Sequence, residues 1–225
     1  MKHGPRLLAL AVVAAALIAN GVSAQTEIPK DFSPVTAEFD HERREVMIPM
    51  RDGVKLRAVV VIPKGATAAP IILTRTPYGA GPYGPDTFQD ALGPSPLFDT
   101  GHYVIVHQDV RGRFLSEGEW VEMRPIDAAS RGPGATDEST DAWDTIDWLL
   151  KHVPESNGRV GMLGSSYEGF TVVMALLDPH PALKVAAPES PMIDGWMGDD
   201  WFQYGAYRQN SLGYYTGQMT ARGEG

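Results

Sequence analysis

The chain has 225 residues, 43% of them hydrophobic and 21% charged, with a formal net charge of −9 and no cysteine. This is the composition of a globular protein with a real core, of one domain or slightly more, and disorder is not its default reading. The acidic balance argues against a nucleic-acid partner, and without cysteine there are no disulfides, no thiol chemistry and no cysteine-ligated metal.

Residues 1–24 read as a secretory signal. Lys2, His3 and Arg6 precede an apolar run from Leu7 to Ala19, and the small residues Val22 and Ala24 mark an exit with cleavage after Ala24. The run falls short of the about 20 residues a membrane span needs. The expectation is a periplasmic or secreted protein with no membrane contact once the signal is removed. Loss of Lys2 and Arg6 leaves 17 basic residues against 28 acidic ones, a net charge of −11. Residues 25–42 carry scattered prolines without a period and read as an extended lead-in.

Residues 43–190 alternate strands with helices. Two β-rich runs, near 44–50 and 54–62, flank Asp52-Gly53 and predict an antiparallel hairpin. "APIILTRTPYG" holds a third strand, apolar enough to be buried on both faces. A glycine- and proline-rich loop from Gly79 to Pro96 is too long for a turn and is expected to line something. "YVIVHQDVRGR" is a fourth strand running into irregular chain over 114–137. "DESTDAWDTIDWLLKHV" places Trp143, Ile146, Leu149 and Leu150 on one helical face, with acids early and Lys151 and His152 late, as the helix dipole favours. "GRVGMLG", "FTVVMALLD" and "ALKVAAPES" then predict strand, helix, strand. The pattern implies an α/β fold with a mostly parallel sheet covered on both faces.

The junction "RVGMLGSSYEGF" carries the chemistry. Strand, tight turn, serine and helix in that order are the context of a nucleophile elbow, and Ser166 is better placed than Ser165, with Gly164 two before it and Gly169 three after. The usual glycine two after the serine is Glu168 instead. The alternative is that Ser165 or Ser166 caps the helix. As a nucleophile, Ser166 would leave the Tyr167 amide facing an oxyanion. A second oxyanion donor belongs on the loop after the third strand, where Tyr78 stands, stiffened by Pro77; its alternative is a tyrosine packed under that loop. Asp109 and Arg111 read as a pair holding loops together ahead of a substrate contact. Trp143 and Trp148 are core and helix-face residues. Trp196, Trp201, Phe202, Tyr204 and Tyr207 could line an acyl pocket or form the packing face of a helix.

Taken together, "RTPYG", "QDVRGRFLSEGEW", "GMLGSSYEGF" and "DGWMGDDWFQYGAYRQN" resemble the α-amino acid ester hydrolases, within the group of cocaine esterase, glutaryl-cephalosporin acylase and X-Pro dipeptidyl peptidase. The resemblance runs from about Arg43 to the end of the chain, and this group also displaces the glycine after the serine. It implies an α/β-hydrolase fold, Ser166 as acyl nucleophile, and an oxyanion hole of the Tyr78 hydroxyl and the Tyr167 amide. It further implies Asp200 in a carboxylate cluster for the substrate's α-ammonium group, with Asp199 able to exchange roles with it, no metal or cofactor, a small ester or amide substrate, and a full-length form that can assemble into homo-oligomers.

A serine needs a base and an orienting acid, expected after it in chain order. His180 alone follows Ser166, at the far end of a helix of about 18 Å; His41, His102 and His152 lie elsewhere, and His107, within a strand, breaks the order. The aromatic segment at 191–225 reads as the opening of a helical cap. The expectation is therefore a fragment that stops before the last sheet strands and the triad Asp and His, and that folds poorly and turns over little ester by itself. Its rivals are an esterase, acylase or dipeptidyl peptidase without ammonium selectivity, and a non-catalytic secreted remnant.

Overall fold

The computed structural model describes residues 41–81, 103–126, 134–194 and 201–209, with Gly198, Gly213 and Thr216. The expected signal, most of the lead-in, His102, Trp196, Asp199 and Asp200 lie outside the described residues. Strand β1 (His41–Pro49) begins inside the stretch read as lead-in and pairs antiparallel with β2 (Lys55–Pro63), from His41 opposite Pro63 to Pro49 opposite Lys55. β3 (Ala69–Thr76), β4 (Val104–Asp109), helix α1 (Glu138–His152), β5 (Ser156–Ser165), helix α2 (Tyr167–Leu177) and β6 (Leu183–Glu189) follow. The sheet order is β1-β2-β4-β3-β5-β6, with β4, β3, β5 and β6 mutually parallel and the hairpin antiparallel.

Period-two alternation decides the faces. Leu56, Ala58, Val60, Ile71, Leu73, Val104 and Val106 share one buried cluster with Ile146 and Leu149 of α1 and Val172 and Ala175 of α2, while Val59, Val61 and Ile105 form a smaller one. Both described helices thus pack on one face, where the sequence led us to expect cover on two. Beyond β6, residues 202–203 and 206–207 pair as a short ribbon, strands β7 and β8, about Tyr204-Gly205 where a helix was expected. β6 itself is mostly solvent-facing, with Val185 65% exposed, and among the described strands it pairs with β5 alone.

The start of α1 is a buried charge cluster as well as a dipole-matched cap. Asp137 caps it: the Thr140 amide donates to Asp137 Oδ1 (2.8 Å) and the Asp137 amide donates back to Thr140 Oγ1 (2.9 Å). Glu138 and Asp141, in the first turn, are buried against two guanidiniums from other elements. Arg75 of β3, fully buried, donates to Glu138 Oε2 (2.7 Å), the Glu138 carbonyl (2.8 Å) and Gln108 Oε1 (2.8 Å). Arg111 grips Asp141 in a two-point contact (3.0 and 2.7 Å) and reaches Asp52 of the β1–β2 turn at 2.7 Å.

The expected Asp109–Arg111 pair is not formed. Ala58 faces Gln108 in the β2–β4 register, so Arg57 comes beside Asp109 and donates to its Oδ2 at 3.1 Å. Arg111, past the strand end, turns to α1 instead. Both residues do hold loops, each with a partner that the register supplies.

Candidate active site

Only Ser166 separates β5 from α2. Its backbone lies at φ 59° and ψ −118°, and its side chain makes no capping hydrogen bond. A non-glycine residue held there costs on the order of 1–3 kcal/mol and persists only where its surroundings over-determine it. They do: the Ser166 amide donates to the Glu189 carbonyl (3.0 Å), and the Ser166 carbonyl accepts from Phe170 (3.0 Å) and Met192 (3.3 Å). A capping serine has extended backbone and accepts an amide of the first turn; Ser166 does neither. Ser165, the last residue of β5, is exposed and Ser166 half-buried.

The neighbouring glycines are required by close approach. A Cβ on Gly164 would stand 2.5 Å from Glu168 Cβ, and one on Gly169 would stand 2.6 Å from the Glu189 carbonyl oxygen. This explains the displaced glycine. The helix start meets the backbone at the end of β6 through position 169, and position 168 is free to carry a side chain.

That side chain is a half-buried carboxyl. Burial raises Glu168 above the ordinary glutamate value, with hydrogen bonds from the Thr76 hydroxyl and the Ser165 backbone opposing the rise. A raised folded-state value means that the protonated form favours the fold. The contribution is present below the unfolded-state value and is lost as pH rises through the folded one. Glu168→Gln, which keeps the acceptor oxygen without the charge, is therefore expected to be more stable than the parent at pH 7. The gap should close below about pH 4, where both states bind the proton. Urea denaturation at the two pH values checks this; a variant equally or less stable at pH 7 contradicts it.

Tyr78 and Ser166 lie at the same end of the sheet. β3 and β4 end level, Thr76 opposite Asp109, while Leu73 faces Met162 across β3 and β5. Thr74 Oγ1 donates to the Leu163 carbonyl (3.2 Å) and Thr171 Oγ1 to the Arg75 carbonyl (3.1 Å), so the end of β3 is tied to both sides of the elbow. Tyr78 is 44% exposed, two residues past the end of β3. Tyr167 has two separate parts. Its amide is the first of α2 and lacks an intrahelical acceptor. Its side chain is fully buried, edge-on to Phe170 (centroids 5.5 Å apart), with the hydroxyl accepting from the Met123 amide at 2.9 Å and its ionisation pushed up by burial.

The remaining described candidates take the following places. Trp201 joins the cluster of Tyr167, Phe170, Met174 and Met192, Phe202 packs on Tyr207 at 5.5 Å, and Tyr204 is 89% exposed. Trp143 lies edge-on to His180 and Trp148 stacks on His152. His180 closes the far end of α2, where its Nδ1 accepts from the Ala182 amide (3.0 Å) and burial lowers its basicity. His107 faces Thr74, two residues short of the strand end, and β3 separates its strand from β5. His41 opens β1. Among the described residues no cluster of three His, Cys, Asp or Glu side chains could hold a metal ion. Sequence reasoning missed Arg75, Thr76, Arg113 and Asp141, whose roles depend on partners far along the chain.

Residues 52–224 match the family model of the X-Pro dipeptidyl-peptidase (S15 family). Cocaine esterase of Rhodococcus sp. (strain MB1 Bresler) is 36% identical over 151 residues, which cover 66% of this chain and 23% of that protein. A solved α-amino acid ester hydrolase superposes with a TM-score of 0.77 at 56% identity, covering 92% of this chain and 34% of that one. An aminopeptidase from a marine sediment archaeon (Thaumarchaeota) superposes with a TM-score of 0.72 at 45% identity, covering 90% and 35%. The chain thus spans between about a quarter and about a third of the length of these relatives.

Proposed function

Because the chain belongs to the X-Pro dipeptidyl-peptidase (S15) family, we propose that the whole protein is a serine hydrolase of α-amino acid esters, working through an acyl-enzyme on Ser166. The observation that carries this reading is the strained Ser166 backbone, held by three hydrogen bonds on a strand-to-helix junction. In this mechanism Ser166 Oγ attacks the ester carbonyl carbon while a general base takes its proton. The carbonyl oxygen becomes an oxyanion that accepts from the Tyr78 hydroxyl and the Tyr167 amide. Collapse breaks the C–O bond to the alcohol, which leaves with the proton; water then repeats the attack on the acyl-serine, and an amine in its place would yield an amide.

The α-amino acid preference rests on the similarity to the ester hydrolase at 56% identity. In this reading Asp200, with Asp199 beside it, receives the substrate's α-ammonium group, because a carboxylate rewards that cation and leaves an uncharged acyl chain without a partner. We place the protein in the periplasm or outside the cell on the signal-like residues 1–24; cell fractionation that finds it in the cytoplasm would exclude this. The rival is an esterase without ammonium selectivity, favoured by the similarity to cocaine esterase. Turnover of an alanine ester and of its des-amino analogue separates the two. The amino ester is expected to win, and Asp200→Asn to reduce its advantage by roughly tenfold or more, the worth of a charge-assisted contact. Equal turnover of both esters by the parent would favour the rival.

A further inference from the structure

Tyr78 is half-exposed just past the end of β3, and the described backbone around it is held at several points. Its own amide donates to Thr76 Oγ1 at 3.1 Å. The carbonyl before it, that of Pro77, accepts from Arg113 Nε at 3.2 Å. Two residues later the Ala80 amide donates to Asp109 Oδ1 at 2.5 Å. Between them Gly79, at φ 108°, lies against the Phe114 ring, 3.3 Å from where a Cβ would stand.

Three of these contacts come from one segment, Asp109 to Phe114, which leaves the end of β4. Asp109 is fully buried and is itself braced, with Arg57 on its other oxygen and Glu45 on the far side of Arg57 at 2.9 Å. Arg113 is oriented by two rings, its guanidinium 5.3 Å from the Phe114 centroid and 5.2 Å from that of Trp120. A surface loop that only had to close would not need a buried carboxylate on one peptide group and a ring-stacked guanidinium on another. An oxyanion donor does need such fixing, because it acts only about 2.7–3.1 Å from where the charge develops, and a displacement of about 1 Å can cost about a hundredfold in rate.

We propose that Asp109 and Arg113 are positioning residues for the Tyr78 phenol, a clamp from the end of β4 that sets the donor over Ser166. The inference rests on the reading of Tyr78 as an oxyanion donor. It assigns the "QDVRGRF" segment a part in catalysis without contact to substrate, and ties that part to the hairpin through Arg57 and Glu45.

The test is a set of double-mutant cycles in the whole protein, with turnover of p-nitrophenyl acetate as readout and thermal melts to confirm folding. Tyr78→Phe is expected to lower kcat about a hundredfold to a thousandfold. Arg113→Met and Asp109→Asn should each lower kcat about tenfold to a hundredfold with KM little changed, since the lost interaction exists only in the transition state. Arg113→Lys, which can still donate to the Pro77 carbonyl, should recover part of the loss. In the Tyr78→Phe background the clamp substitutions should have almost no further effect, because they act through the missing hydroxyl. Additive losses there would overturn the clamp and leave the oxyanion reading intact. An unchanged kcat for Tyr78→Phe alone would overturn the oxyanion reading, and the clamp with it. Should Asp109→Asn fail to fold because Arg57 loses one of its two counter-charges, the half-buried Arg113 decides the matter alone.

Discussion

Ser166→Gly is expected to stabilise the fold while abolishing turnover. Serine at φ 59° and ψ −118° holds strain on the order of 1–3 kcal/mol. Glycine reaches positive φ at no steric cost, while its larger freedom in the unfolded chain takes back about 0.4–1 kcal/mol. The net expectation is a gain of about 1 kcal/mol in urea denaturation, and Ser166→Ala, which keeps the Cβ, should stay near the parent. If Ser166 is the acyl nucleophile proposed above, both variants of the whole protein should lose about 10⁴- to 10⁶-fold in kcat, the cost of deleting such a group. A serine that merely capped α2 would behave in the opposite way, alanine costing about 1 kcal/mol and turnover surviving. A Ser166→Gly variant less stable than the parent would contradict the elbow.

The second large effect lies in the charge cluster under the same end of the sheet. Asp141→Ala is expected to destabilise the protein by about 3 kcal/mol, the low end of the cost of breaking a buried ion pair, because Arg111 keeps Asp52 and Arg75 keeps Glu138. Asp141 holds Arg111 by two hydrogen bonds and stands 3.8 Å from Arg75, so one substitution removes a counter-charge from two buried guanidiniums. The decisive comparison is the double variant Asp141→Leu with Arg111→Met. It removes the pair together and leaves no lone ion between those two positions, so it should lose less than the sum of the single losses, and less than Asp141→Ala itself. Denaturation midpoints that add linearly would show that the pair is not coupled. Much of any loss should surface as misplacement of β3 and of the post-β4 segment, because Arg75 and Arg111 stand one in each.

These results separate two kinds of information. The strands were legible because apolar residues recur at period two and helices because they recur near every third or fourth; the hairpin was legible because Asp52-Gly53 turns the chain. The elbow was legible for the same local reason, since strand end, small residue, serine and helix start all fall within "RVGMLGSSYEGF". Glu168 stands at the usual glycine position as the resemblance allows, and the fold supplies the physical reason, a close contact one residue later between Gly169 and the Glu189 carbonyl.

The partners of buried charges were not legible. Asp109 and Arg111, two apart, invited pairing, yet Asp109 meets Arg57, 52 residues earlier, and Arg111 meets Asp141, 30 residues later. Arg75 gave no signal inside its strand and ends on Glu138, 63 residues away. By itself, then, the sequence determined which segments between residues 43 and 190 form strands and helices and which serine stands at the turn, because backbone conformation and amphipathic period are set by near neighbours; the ribbon at 202–207, read as helical, was not so determined. Only the tertiary structure decided what each buried charge meets and how the Tyr78 loop is held. Those contacts depend on strand register and on which helix end faces which strand, and such choices are made by the burial of the whole sheet at once.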